Sequence, residues 1–307
     1  MEPPSRRPLP VLADDLLEEI FLRIGSPSDL ARASTACAAF RRLIADRGFL
    51  RRYRALHPPL LLGLVDATPE GFQPAEAPHP GAAAARALAR AANFSYDYIP
   101  PGRAGRWSPC DARDGLILLR SSTRPARYAG FAFQFPDLAV CDPVSRRYRL
   151  LPPIPDDLLA SVQEQKLRGF EALLLPSGDE EDETSFTVIG WTRFKIKTVV
   201  FVFSSGSGLW KFGTSAYWDA LGLHPCMSSS PQYAYGCFYW KMTWTSKLLK
   251  LDVARMELSA LDLPPDHDKR FVAITEEGEG RLGMFSQRQY TSVDYYIFMH
   301  NDSESAN

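Results

Sequence analysis

The sequence predicts an α+β protein: a small N-terminal group of helices followed by a mainly antiparallel β domain. Three observations predict it. Apolar residues recur at one-helix-face spacing through the first ~57 residues. From about Cys110 onward, short runs rich in Val, Ile, Phe, Tyr and Trp alternate with Gly, Pro, Ser and Asp. The length of 307 residues suits one small module plus one large one.

In the first stretch, Asp14 and Asp15 place acid at a helix start, where it complements the dipole. Leu16, Leu17, Ile20, Phe21 and Ile24 then follow helical spacing, and Gly25 ends the helix. Ser26-Pro27-Ser28-Asp29 has the form of a capping box with proline at the first helical position. Leu30, Ala33, Cys37, Phe40, Leu43 and Ile44 continue an apolar stripe, with a break expected near Thr35. Residues 53–108 change in composition. Prolines punctuate them and Ala82 to Ala92 reads as one short helix, so the stretch is taken as a connector with some strand.

Residues 109–300 form the β domain of this reading, and 301–307 a tail. Strand runs include Leu116 to Leu119, Thr187 to Trp191, Thr198 to Phe203, Cys237 to Trp240, Leu248 to Leu251 and Tyr295 to Met299. The acidic run 179–183 reads as a solvated loop. A weak repeat is anchored on Asp142, Ser204 and Asp252. Around the two aspartates a strand ends in Asp, turns, and returns to close in Pro-Pro, at Pro152-Pro153 and Pro264-Pro265. The spacing is near that of propeller blades, which predicts a propeller-like domain.

Leu12-Ala13-Asp14-Asp15-Leu16-Leu17-Glu18-Glu19-Ile20 resembles the opening of an F-box. The resemblance continues through Asp29 to Ala33 and Ala36 to Ile44, reaches Asp46 and Phe49, and covers residues 9–52. Leu9-Pro10 stands three residues before the place where the family has Leu-Pro, which here is Leu12-Ala13. The later phrases are similar to the F-box-associated β domain of plants. They are Asp114-Gly115-Leu116-Ile117-Leu118, Cys141-Asp142-Pro143-Val144-Ser145, Leu151-Pro152-Pro153, Gly236-Cys237-Phe238-Tyr239-Trp240 and Leu251-Asp252-Val253. Such domains often continue further, so the β domain is read as incomplete or open.

The resemblance implies a three-helix F-box that docks on an Skp1-like adaptor, and through it on a cullin. The β domain then holds an unknown protein target, making the chain a substrate-recruiting subunit of an SCF-type ubiquitin ligase and not itself an enzyme. It implies adaptor contact by Leu9, Pro10, Leu12, Leu16, Leu17, Ile20, Ile24, Leu30, Phe40 and Leu43. The residues alone agree in one respect: about 45 residues of helix carry more apolar side chains than so small a bundle can cover.

Other classes find less support. A net charge of -1 gives no field for nucleic acid or an anionic membrane. The basic cluster of Arg41, Arg42, Arg47, Arg51, Arg52 and Arg54 lacks interleaved aromatics and reads as a solvated helix face. Five scattered cysteines form no C-x-x-C pair, which points to reduced thiols in the cytoplasm or nucleus and to no metal or cofactor. No apolar run approaches the ~20 residues of a membrane helix. Trp191, Trp210, Trp218, Trp240 and Trp244 read as core, and Glu276, Glu277 and Glu279 as a polar turn around Gly278. Three rival readings stand beside this one: a β-propeller-like hydrolase, which requires convergent carboxylates or a nucleophile–base pair, a ligand-binding domain, which requires exposed aromatic and polar residues clustered at one mouth, and an F-box protein acting outside any ligase.

Overall fold

Residues 13–57, 61–66, 71–103, 105–121, 135–162, 167–176, 185–225, 230–278, 280–288 and 292–299 are described by a computed structural model. Leu9, Pro10, Leu12, the acidic run 179–183 and the 301–307 tail lie outside them. The described chain forms two compact units. One holds the residues up to Leu64 with Pro74–Ala87, the other Val65–Gln73 with everything from Leu88. The stretch read as a connector is thus shared between the two.

The helical stretch divides into α1 (Asp14–Leu22), α2 (Pro27–Ala36), α3 (Ala38–Ile44) and α4 (Arg47–Leu56). Pro27 opens α2 as expected. The break after α2 falls at Cys37, two residues beyond Thr35, where the backbone extends to φ -158° and ψ 165°. Phe21, Leu22, Leu30, Leu43, Ile44, Phe49 and Tyr53 form the core of this unit. The Phe21 ring meets Phe40 edge-on at 5.0 Å and Phe49 at 6.4 Å. Asp46 caps α4 by accepting the Phe49 N–H at 3.0 Å, which satisfies one of the donors a helix start leaves free. The open carbonyls at the end of α1 are met by α4: Tyr53 Oη donates to Ile24 O at 2.8 Å, and His57 Nε2 lies 2.7 Å from Leu22 O.

Two short strands follow, β1 (Gly63–Val65) and β2 (Phe72–Pro74), and then the alanine-rich helix α5 (Ala82–Ala91). Every later strand belongs to an antiparallel meander in chain order. The first sheet is β3 (Trp107–Arg113), β4 (Leu116–Ser121), β5 (Leu138–Cys141) and β6 (Tyr148–Leu150). After α6 (Asp156–Ser161) comes the second: β7 (Leu167–Leu175), β8 (Thr187–Phe194), β9 (Lys197–Ser204) and β10 (Leu209–Tyr217). The third is β11 (Gln232–Ala234), β12 (Cys237–Lys241), β13 (Lys247–Asp252) and β14 (Glu257–Asp262). The fourth has three described strands, β15 (Phe271–Glu276), β16 (Arg281–Arg288) and β17 (Ser292–Met299).

The repeat anchors all stand at the end of a third strand: Asp142 just after β5, Ser204 closing β9 and Asp252 closing β13. Four residues past each anchor the backbone turns left-handed, at Arg146 (φ 59°), Gly208 (φ 71°) and Met256 (φ 50°). The anchor therefore marks one kind of hairpin used three times. Asp142 Oδ1 accepts the N–H of Val144 at 2.8 Å, and Asp252 Oδ1 that of Arg255 at 3.0 Å. Ser204 uses its backbone, its carbonyl accepting the Gly208 N–H at 2.8 Å. The Pro-Pro pairs follow β6 and β14, as the hairpin reading requires.

Successive sheets pack face to face. Leu118 and Val140 meet Val188 and Phe201 between the first and second. Ile189, Trp191 and Val200 meet Phe238, Trp240 and Leu249 between the second and third. Tyr239 and Leu248 meet Ile274, Leu282 and Met284 between the third and fourth. Strands β8, β12 and β13 are buried on both faces, which is why they read as near-continuous apolar runs. The outer face of the first sheet (Ile117, Leu119, Ala139, Cys141) is buried too. Residues just before it lie alongside: Asn93 N–H donates to Pro143 O at 2.8 Å, and the Tyr98 ring is 6.4 Å from that of Tyr148. The sheets do not close on themselves.

Candidate partner-binding surfaces

Helix α1 divides its apolar residues between two directions, because helical spacing sends i and i+4 to one side. Phe21 and Leu22 are buried and Leu17 and Ile24 pack half-buried beside them, whereas Leu16 (54%) and Ile20 (48%) face solvent. The acids between them are engaged. Arg52 pairs with Glu18 at 3.1 Å and also with Glu19, and Arg42 with Asp14 at 3.3 Å. The result is an apolar pair one turn apart beside charges already matched within the unit. It also accounts for part of the basic cluster, since Arg42 and Arg52 are spent on α1 rather than presented to a polyanion.

The predicted contact residues thus part company. Leu16 and Ile20 are exposed, Leu17, Ile24 and Phe40 are half-buried, and Leu30 and Leu43 lie in the core at 5% and 7% exposure. Periodicity cannot separate the last two from the first two, because a core stripe and a docking stripe share one spacing.

In the β unit the inner strands bring charged groups together. Asp111 on β3 accepts the Leu174 N–H of the second sheet at 2.8 Å. Arg113, two residues on, lies over the rings of Tyr233 and Phe238 in the third sheet, at 5.0 and 5.6 Å. Glu171 on β7 accepts the Trp240 indole N–H at 3.2 Å and pairs with Arg193 at 3.4 Å. Glu276 accepts the Tyr235 N–H at 2.7 Å. Each carboxylate holds a donor from a neighbouring sheet, so these groups tie sheets together. The sequence reading missed the ties, whose partners lie 41 to 69 residues apart for the carboxylates.

Trp191, Trp210, Trp218 and Trp240 are 0–5% exposed and belong to the core; Trp244 alone of the five faces solvent, at 71%. Burial pushes the Cys110 thiol up to about 12 and the Cys141 thiol to about 11, which leaves neither with thiolate character near neutrality. Among the described residues no group of three His, Cys, Asp or Glu is placed to hold a metal ion, and no helix is long and apolar enough to cross a membrane.

A second apolar surface was not singled out from sequence. On the outer face of the fourth sheet stand Phe271 (64%), Phe285 (46%), Val293 (60%), Tyr295 (42%) and Ile297 (51%). Phe285 and Tyr295 are cross-strand partners with ring centroids 4.7 Å apart.

No family model matches the chain, and no curated protein matches it. Among solved structures it is similar to a luciferin-regenerating enzyme, with 11% identity over 62% of this chain and 61% of that one, at a TM-score of 0.35. It is similar to the extracellular domain of a one-component system from B. thetaiotaomicron, with 7% identity over 62% of this chain and 22% of that one, at 0.31. A third likeness is to a complex of KlAtg21 with the coiled coil of AgAtg16, with 11% identity over 60% of this chain and 54% of that one, at 0.33. The chain therefore spans less than two thirds of each of these three, and at such TM-scores they carry no argument about function.

Proposed function

We propose that this chain recruits a protein target to a cullin-type ubiquitin ligase, with residues 9–52 acting as an F-box on an Skp1-like adaptor. On this reading the four meanders are blades of an open, propeller-like domain that holds the target. The supporting observation is the pair Leu16 and Ile20, side by side and half exposed on the helix whose sequence resembles the F-box opening. About half of each side chain is still exposed, so burying the pair in a partner is worth about 0.8–1.5 kcal/mol each. Leu30 and Leu43 then act through the bundle, by holding α1 in place. The ligase arrangement acts by proximity, raising the effective concentration of target lysines near a charged conjugating enzyme. On this reading the chain positions the target and the ligase supplies the chemistry.

The test is co-expression of the full chain with adaptor and cullin. Leu16→Asp with Ile20→Asp sets charge into the interface, and recovery of both partners is expected to fall at least about tenfold. Both side chains are exposed, so near-ultraviolet circular dichroism should be unchanged. Undiminished recovery of adaptor by the double variant overturns the proposal.

A second expectation concerns self-modification in the reconstituted ligase. The chain has eight lysines, the first at Lys166, and every Lys or Arg position before it is arginine, which stays protonated and is not a ubiquitin acceptor. Lys195, Lys211 and Lys269 are exposed, whereas Lys241 and Lys250 are 6% and 8% exposed. Mass spectrometry should find conjugates on the first three ahead of the last two, and none on a side-chain lysine before Lys166. Prominent conjugation at Lys241 would contradict the burial argument.

A further inference from the structure

We propose that the outer face of the fourth sheet is a dimer interface, covered in solution by the same face of a second copy of this chain. The sequence of β17 is the first reason. Val293, Tyr295 and Ile297 point to one side, and Tyr296 and Phe298 to the other, where they pack against the third-sheet core. A strand apolar on both sides is the pattern of a strand buried on both sides. In this chain β8, β12 and β13 show that pattern and are so buried, whereas among the described residues β17 is covered on one side only.

The edge of the sheet points the same way. Three edge strands elsewhere carry register shifts, at Pro109/Asp111 in β3, Leu167/Gly169 in β7 and Phe212/Thr214 in β10. Such irregularities blunt an edge against further pairing. Strand β17 pairs with β16 in unbroken register over eight residues and contains no proline or lysine. The edge thus lacks a register shift, a proline and a lysine, and its one charge, Asp294, is turned to the inner side and paired with Arg270.

Area and charge select the occupant. Five large side chains at these exposures present on the order of 500 Å², already in the range of the largest patches found on monomers. Specific dimers at the small end bury about 600 Å² per partner, a figure the five reach with the small and polar residues around them. The face is nearly free of charge. Its charges are Glu277 and Arg281, one of each sign, at the hairpin end of β15 and β16, joined by the Glu277 N–H to Arg281 O bond of 3.0 Å; the Glu277 carboxylate accepts the Tyr295 hydroxyl and so borders the patch. A neutral apolar face repels no copy of itself, and a two-fold arrangement requires self-complementarity. Sheet-on-sheet packing of such faces is already used three times within the unit.

The proposal does not rest on the adaptor reading, and its test is separate. Sedimentation velocity of the full chain over about a hundredfold range of concentration should show a dimer that dissociates on dilution. Phe285→Glu and Ile297→Glu, made singly, should each weaken the dimer by about a hundredfold or more, because each leaves a charge buried opposite its own copy. Leu16→Asp with Ile20→Asp should leave it unchanged. Near-ultraviolet circular dichroism reports whether each variant is folded, and Val293→Arg supplies a third position should one of them not be. A wild-type chain that stays monomeric at every concentration overturns the proposal. So does a dimer that survives these substitutions, which would place the interface elsewhere.

Discussion

Replacing Trp191 with Ala is expected to lower the stability of the β unit by about 3–5 kcal/mol. The indole is fully buried between the second and third sheets, its ring 4.5 Å from that of Trp240. Truncation leaves a cavity that two rigid sheets cannot collapse around. It also removes an aromatic pair worth about 0.5–1.5 kcal/mol beyond area. The indole N–H donates to Thr198 Oγ1 at 2.6 Å, and Thr198 is 0% exposed, so the hydroxyl loses a donor that no water replaces. Trp191→Phe keeps most of the volume and should cost about half as much. Urea denaturation followed in the β unit is the measurement: the midpoint should fall with little change in slope. A loss below about 1 kcal/mol would mean that the two sheets do not pack as described.

Lys241→Met is expected to cost about 2–4 kcal/mol, because it removes a buried cation from a cage of backbone oxygens. The ammonium donates to Met242 O at 2.7 Å, to Thr245 O at 2.5 Å and to Asp268 O at 3.4 Å. The first two belong to the turn between β12 and β13, the third to the connection from β14 to β15. One side chain therefore satisfies the carbonyls of two loops. Methionine keeps the stem's packing and deletes only the donors, so the loss reports the cage. Thermal melts of the wild type and the variant test this, and equal midpoints would refute it.

Much of the β architecture was legible because it is written locally. An Asp or Ser that ends a strand, with a left-handed residue four places on, depends only on neighbours in sequence, and so Asp142, Ser204 and Asp252 marked three hairpins. Strands buried on both faces, such as β12 and β13, stood out as apolar runs. Strand β10 was harder. Lys211, Phe212 and Tyr217 are exposed on an edge strand with a bulge, which breaks the period of two. On the helical side the pattern found α1, the start of α2 and a break near Thr35, which the structure puts at Cys37. Both residues are poor helix interiors, and only the extended backbone at Cys37 distinguishes them. The candidate surface was half legible. Leu16 and Ile20 share their spacing with core residues, and which side is covered depends on where α3 and α4 pack. Arg113 and Lys241 were invisible, since each acts on groups distant in the chain or on carbonyls any residue carries.

Packing in chain order has a consequence for how the protein is made. As the chain leaves the ribosome, the residues that flank the first sheet precede it, and each later sheet finds its packing face already finished. The growing β unit therefore never has to carry more than one uncovered apolar face. Only the long-range ties, such as Arg113 over Tyr233 and Phe238, wait for a later sheet. Synthesis thus moves a single sticky surface along the chain from sheet to sheet, and once the fourth sheet is made that surface lies on Phe285, Val293, Tyr295 and Ile297.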